Sequence, residues 1–344
     1  MNTSAHAPTP SAAPATPERI FQLGWGFGVT QALVAAIELD LFGAIAAGAR
    51  DVRAVATAIR ASERGTAMLV DAMAAFGLVE KRRDGLALAP DAATFLLRSS
   101  PAFMGDFLAL HGREIAQRWQ SLTECVRTGR PATALDRPSE GIPFWKRLVD
   151  GLFPVGFAAA QVVGRELARR HPTGEIRLLD VAAGSGVWGF GAALAEPRVR
   201  PTAQDLPETL EHTRAWAQRT KLEGRVGYLP GDLRTVDFGT AAFDAAVLGH
   251  ICHSEGATHT QRLLQKVARA LRPGGTIVIV EFVPDEGRAS PPAPLLFALN
   301  MLVHTTEGDA FTASQYRTWL EAAGFRDVTS LPAPAPSPLL LATR

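Results

Sequence analysis

Leu178-Leu179-Asp180-Val181-Ala182-Ala183-Gly184-Ser185-Gly186 decides how this 344-residue chain folds. It reads as a buried strand that ends at an acid and turns through small residues toward a helix. Its alanines and glycines let the backbone approach a ligand closely, and glycine permits φ values that other residues avoid. Gly184-x-Gly186-x-x-Gly189 also matches the dinucleotide fingerprint. Asp180 argues against that ligand, because an acid ahead of the turn sits poorly beside a pyrophosphate held at a helix N-terminus. It suits a nucleoside that carries positive charge.

From Glu175 onward, apolar runs alternate with helical patterns, which predicts an α/β domain over 171–344. Strands are expected at 176–181, about 199–204, 225–229, 243–249 and 275–282. Two more flank a Pro-rich loop within 325–342. The expected fold is Rossmann-like, with a mostly parallel seven-stranded sheet whose ligands bind at the carboxyl ends of the strands. Three acids fall at such ends. Asp180 closes the first strand, Asp205 follows the second in Gln204-Asp205-Leu206-Pro207, and Asp232 follows the third in Gly231-Asp232-Leu233. Asp205 is placed to accept from ribose hydroxyls, and Asp232 from an adenine amine while Leu233 covers the ring. The ligand that fits ribose, adenine, ammonium and sulfonium together is S-adenosylmethionine. Its expected contacts are Asp180, Ala182, Gly184, Gly186, Asp205, Leu206, Asp232, Leu233 and Gly249.

The fourth strand leads into Leu248-Gly249-His250-Ile251-Cys252-His253-Ser254-Glu255. A histidine there can take a proton at neutral pH, so His253 is the candidate general base. Glu281 ends the strand Thr276-Ile277-Val278-Ile279-Val280 and can fix the tautomer of that base. No metal is assigned. His250, His253 and His304 could nevertheless converge on one pocket, and imidazoles bind Zn or Fe readily.

The rest of the chain is helical in pattern. Residues 1–17, rich in Ala, Pro, Ser and Thr, read as a disordered tail without a signal-peptide core. Residues 18–100 read as a winged helix, with an apolar stripe of Leu33, Ile37, Leu41 and Ile45, helices at 51–59 and 62–76, and a β-wing within 78–97 that turns at Arg83-Asp84-Gly85. The helix that would enter DNA carries Arg64 as its only cation and offers phosphates little, so the module is expected to pack on a partner subunit. Residues 101–170 read as linking and pocket helices interrupted at 129–143. Their aromatics include Trp119 and Phe157, expected near the acceptor. A net charge of +1 excludes a global attraction to nucleic acid or anionic membrane. No apolar run reaches the ~18 residues that span a bilayer. Cys125 and Cys252 fit neither a disulfide framework nor a zinc knuckle, so a reducing cytoplasm is expected.

Leu-Asp-Val-Ala-Ala-Gly-Ser-Gly, Gln-Asp-Leu-Pro, Gly-Asp-Leu, Ile251-Cys252-His253 and Leu-Arg-Pro-Gly-Gly occur here in a familiar order. With them the chain resembles the small-molecule O-methyltransferases typified by plant caffeate and flavonoid enzymes and by bacterial antibiotic-tailoring relatives. The resemblance runs from residue 18 to 343. It implies methylation of a hydroxyl on a small, aromatic secondary metabolite, with His253 as base and Glu281 orienting it. It also implies an intertwined homodimer. Asn300 and His304 fall in the segment that lines the acceptor pocket in that family, and His250 stands where the plant pattern has tryptophan. The plant sequence continues His-Asp-Trp where this one reads His253-Ser254-Glu255. The family's second glutamate would fall near Ala310, with Glu307 and Asp309 close by. Some relatives bind a metal through pocket histidines and methylate the carbon of an α-keto acid, so that reaction is the alternative through His250, His253 and His304. A SAM-responsive winged-helix regulator of DNA is the alternative of another class.

Overall fold

The computed structural model describes residues 15–135, 138–334 and 337–344. The tail expected over 1–17 lies outside them apart from its last three residues. Contacts divide the chain into a unit that ends at Ala93 and a unit of Thr94–Arg344.

The first unit contains helices Glu18–Gly24, Gly26–Glu38, Leu41–Ala46, Val52–Ala58 and Glu63–Ala75, followed by the antiparallel hairpin of β1 (Val79–Arg82) and β2 (Gly85–Leu88). The stripe expected along one helix is shared by two, because the chain breaks at Asp40, whose φ is 57°. Ile37, Leu41 and Ile45 are buried on either side of that break. Asp51 and Ser62 cap the next two helices by accepting from Ala54 N–H and Gly65 N–H. The first two helices and the Trp25 between them expose Ile20, Phe21, Leu23, Trp25 and Phe27 by 66–72% each.

The second unit is built on seven strands: β3 (Ile176–Val181), β4 (Val199–Asp205), β5 (Gly227–Pro230), β6 (Phe243–Gly249), β7 (Leu271–Val280), β8 (Arg326–Leu331) and β9 (Leu339–Thr343). Their order is β5-β4-β3-β6-β7-β9-β8, parallel from β5 to β7, with β9 antiparallel to both its neighbours. The order reverses at β3, so the crevice between β3 and β6 is the topological switch point.

Alternation along the strands builds two cores. Leu178, Val247, Val278 and Leu341 pack with Ala160, Val163 and Leu167 of helix Pro138–Arg170 and with Phe190 of helix Val187–Ala195. Leu179, Leu248, Ile277 and Leu340 pack with Leu264 and Val267 of helix Cys252–Ala270 and with Tyr316 and Leu320 of helix Ala313–Ala322. Register then fixes what shares an edge. Val181 lies opposite Gln204 and Leu248, and Gly249 lies opposite Val280. The residues that end β3, β4, β6 and β7 therefore emerge together.

Helix Pro138–Arg170 begins earlier than the interruption expected at 129–143 allows. Small residues let it lie close on helix Val187–Ala195. A Cβ on Gly164 would come within 2.4 Å of Ala192 O, and one on Gly191 within 2.4 Å of the Ala160 Cβ. Backbone cannot yield there as a side-chain tip can. Gly164→Ala should lower the unfolding free energy by about 1–3 kcal/mol through overpacking, read from the shift in urea midpoint. An unchanged midpoint would mean the two helices part freely.

Candidate active site

The turn after β3 is held from three directions. Ala182, Gly184 and Gly186 have φ of 52°, 57° and 77°. A side chain at Gly186 would also meet the Phe190 ring at 2.6 Å, so only glycine serves at this helix start. Asp205 Oδ2 accepts from Gly184 N–H at 2.8 Å, and its Oδ1 from Leu206 N–H at 2.7 Å. Burial pushes the Asp205 carboxyl up, while these N–H groups and the Thr209 side chain oppose the rise. The Thr213 hydroxyl donates to Gly184 O at 2.7 Å.

Gln204 is the organising residue that motif reading passed over. Its Oε1 accepts from Ala182 N–H at 3.3 Å and its Nε2 donates to Gly231 O at 2.7 Å, so one buried amide ties the ends of β3, β4 and β5. A polar residue at an inward position of a strand was the available signal.

Asp180 is placed differently from the expectation that it faces the ligand. Its side chain is buried beneath the turn, with Oδ2 accepting from Gly189 N–H at 2.8 Å and Oδ1 without a partner. Burial raises its carboxyl to about 8, against the Gly189 hydrogen bond and with a further push from Asp205. Asp180 thus supports the turn from below. Asp232 is exposed, its Oδ1 accepting from Arg234 N–H at 2.8 Å. Leu233 is half-buried beside it, and its carbonyl accepts from Lys266 Nζ at 2.8 Å.

Across the edge, β6 ends at Gly249, whose missing side chain makes room for Trp188: a Cβ there would lie 2.0 Å from the indole Nε1. His250 follows with φ 59°, its N–H donating to Val280 O at 2.9 Å. Such a backbone in a non-glycine residue is strain of about 1–3 kcal/mol, held by its surroundings. The His250 ring lies among Trp188, His253 and Phe282 at centroid distances of 5.9, 6.0 and 5.2 Å. Burial lowers its pKa to about 4; Glu281 opposes the fall and His253 adds to it.

His253 and Glu281 meet as the sequence predicts. Glu281 Oε1 accepts from the His253 backbone N–H at 3.1 Å and Oε2 from its Nδ1–H at 2.8 Å. With Nδ1 donating, the lone pair of a neutral imidazole is at Nε2. Burial pushes the Glu281 carboxyl up, but the charge and hydrogen bonds of His253, together with His250, outweigh it and leave the group below its ordinary value. Phe297 and the His253 ring meet at right angles with centroids 4.8 Å apart, and Phe282 stacks on Phe297 at 4.0 Å. Neither aromatic was named from the sequence, where nothing separates them from core phenylalanines.

Phe297 belongs to helix Pro292–His304, which also carries Asn300 and His304. Trp119 Nε1–H donates to Asn300 Oδ1 at 2.9 Å, which joins two of the expected acceptor residues. His304 stacks on Phe144 at 6.2 Å. Phe157 is not in this group. It stacks on Phe153 at 5.7 Å and packs with the sheet core, thirteen residues along the same helix from Phe144, about 20 Å away by helical rise.

The alternative metal set of His250, His253 and His304 is not the group that the structure gathers. Among the described residues, the one group with metal-ligand geometry is His250, His253 and Glu281, whose ligand atoms lie within 4.8 Å of one another. His304 lies outside it, because helix Pro292–His304 carries it toward Phe144. Glu307 and Asp309 do not replace the second glutamate. Asp309 binds Arg288 at 2.9 Å and gives only its backbone N–H to His253 O, and Glu307 is exposed.

The chain has relatives among known proteins. A family model described as an O-methyltransferase domain matches residues 119–326, and one described as an O-methyltransferase dimerisation domain matches 21–98. The chain is 30% identical over 332 residues to the tetracenomycin polyketide synthesis 8-O-methyl transferase of Streptomyces glaucescens, covering 94% of this chain and 96% of that one. It is 30% identical over 329 residues to the 3-hydroxy-5-methyl-1-naphthoate 3-O-methyltransferase of Streptomyces sahachiroi, covering 92% and 91%. The crystal structure of human N-acetylserotonin methyltransferase in complex with SAM superposes with a TM-score of 0.79 at 27% identity, covering 98% of this chain and 99% of that one.

The buried carboxyl under the turn has a measurable consequence. With its pKa raised from 3.8 to about 8, Asp180 keeps its proton in the folded chain and loses it in the unfolded one across that interval. Its stabilising contribution is therefore complete below the unfolded value and is lost as pH rises through the folded value. Urea unfolding should show stability falling more steeply with pH in the native chain than in Asp180→Asn, by up to about 1.4 kcal/mol per pH unit. Parallel pH profiles for the two proteins would refute the assignment.

Proposed function

The chain belongs to the O-methyltransferase family, and on that premise we propose that it methylates a hydroxyl of a small aromatic metabolite, with His253 as general base. The observation that carries this reading is the bond from His253 Nδ1–H to Glu281 Oε2, 2.8 Å long and buried. It leaves Nε2 as the proton acceptor and sets a carboxylate against the imidazolium that proton removal creates. Phe297, in contact with the His253 ring, and Phe282 stacked on it give the surroundings of the base an apolar aromatic character, which suits an aromatic acceptor.

The methyl donor is S-adenosylmethionine, which supplies an activated methyl group when bound. The residues present fit it. Asp205 lies at the end of β4 and uses one lone pair of each carboxylate oxygen on backbone N–H groups, which leaves capacity for ribose hydroxyls. Asp232 and Leu233 stand beside it for the adenine, and the turn through Ala182, Gly184 and Gly186 brings bare backbone to the same edge. Gly249 and Trp188 wall the side toward His253. What this chain contributes to rate is then position: the base, its acid and the aromatic rings beside them are already in place without the acceptor.

The N-terminal unit acts as a winged-helix dimerisation module. Its exposed Phe21, Trp25 and Phe27 support a homodimer, since a monomer gains nothing by presenting them to water. Among the described residues no single helix is long and apolar enough to cross a membrane. Cys125 and Cys252 are free and buried, which supports the reducing cytoplasm as the site of action.

His253→Ala should lower kcat/KM for a phenolic acceptor by about 100- to 10,000-fold while calorimetry still registers S-adenosylhomocysteine. Full activity in that variant would remove the base from the mechanism. Replacing Phe21, Trp25 and Phe27 together by Ser should turn a dimer into a monomer in light scattering. A native chain that is already monomeric would contradict the module's role.

A further inference from the structure

His304 is a buried imidazole that the His253–Glu281 pair does not use. Its Nδ1 lies 2.7 Å from Asn300 O. A carbonyl can only accept, so Nδ1 carries the proton and Nε2 presents a lone pair. The residue is 3% exposed, and Nε2 is itself buried without a hydrogen-bond partner. Burial lowers the pKa of this ring, the Asn300 carbonyl opposes the fall, and Arg118 and His111 add to it. The ring is thus a neutral acceptor. Arg118 does not satisfy it, for its guanidinium is over the face of Phe144, 5.6 Å from the centroid. His111 donates its own Nδ1–H to Phe107 O at 2.9 Å.

A buried acceptor left unpaired gives up the hydrogen bond it would make in water, so the position calls for a donor. The helix that carries His304 shows where that donor would come from. Phe297, Asn300 and His304 follow one another at i, i+3 and i+7, which puts them on one face of helix Pro292–His304. Phe297 touches the base. His304 lies two turns further on, about 10 Å along the axis. Trp119 and Phe144 flank the far end with aromatic surface.

We propose that His304 Nε2 accepts a hydrogen bond from a second hydroxyl of the acceptor, remote from the one that is methylated. The substrate class is then a polyhydroxylated, multi-ring aromatic, long enough to reach from the base to His304 and bearing a donor at its far end. This rests on the functional reading above and adds to it the far end of the substrate. A distal methoxy group, which offers no donor, leaves Nε2 unpaired and meets lone pair with lone pair. The site therefore selects against an acceptor already methylated at its far end.

The test compares 2,6-dihydroxyanthraquinone with its mono-methyl ether, and 2,6-dihydroxynaphthalene with its mono-methyl ether as a shorter pair. Binding is measured by calorimetry with S-adenosylhomocysteine present, and methyl transfer is measured separately. The native chain should favour a diol over its ether by about 10- to 100-fold in both measurements. His304→Leu should bring the diol down to the level of the ether, and His304→Gln, which keeps an acceptor, should restore part of the gap. Methyl transfer without discrimination in either pair overturns the role of His304, as does a gap that survives His304→Leu. Discrimination in binding with no transfer to any probe upholds His304 and overturns the functional reading instead.

Discussion

Glu281 reaches His253 twice, through the backbone N–H at 3.1 Å and the ring Nδ1 at 2.8 Å, and the geometry of the cleft follows from that double contact. The backbone bond fixes where helix Cys252–Ala270 starts relative to the end of β7. The ring bond fixes which nitrogen keeps its lone pair. Because the carboxylate is almost wholly buried, its charge is felt strongly by neighbouring groups and screened little by solvent. His250, 3.9 Å from the same Oε2, is drawn into that field but stays neutral, its pKa lowered to about 4 by burial. Two adjacent imidazoles thus differ by environment: Glu281 binds one through Nδ1, and burial keeps the other neutral against the pull of the same carboxylate.

The opposite wall is ordered by the same economy of buried polar groups. Gln204 and Asp205 bind the backbone of the turns after β3 and β5, and Asp180 braces the helix start from beneath. Every one of these bonds ends on a main-chain N–H or C=O of a turn or a helix start, where the backbone lacks a regular partner. Acids that read as ligand contacts therefore serve first as scaffolding. Asp205 can do both, since two backbone bonds leave lone pairs over, whereas Asp180 is sealed away from the edge.

The aromatic residues divide by position along helix Pro138–Arg170. Phe144 stands with His304 and Arg118, while Phe153 and Phe157 join the core over the sheet, where Trp216 stacks on Phe153 at 3.9 Å. The small residues of this helix explain the second placement. Gly164 and Ala160 let it lie against helix Val187–Ala195 almost at backbone contact, which commits the later turns to the core. The earlier turns are left beside His304.

The sheet, its order of acids and the pairing of His253 with Glu281 were all legible in the chain itself. Their signals are local: alternating apolar residues, glycine at positive φ, and acids at strand ends that parallel register must bring to one edge. Packing across long separations was not legible. Nothing near Phe297 marks it as the neighbour of His253, the inward polar side chain of Gln204 does not say which loops it joins, and three histidines in order along the chain do not say which of them share ligand geometry. Helix direction separates His304 from the other two and sets it against Phe144. Sequence therefore determined which groups can do chemistry, through spacing within single strands and turns. Only the tertiary structure decided which of them face one another, because that depends on how closely helices can approach and on which buried polar atoms find partners.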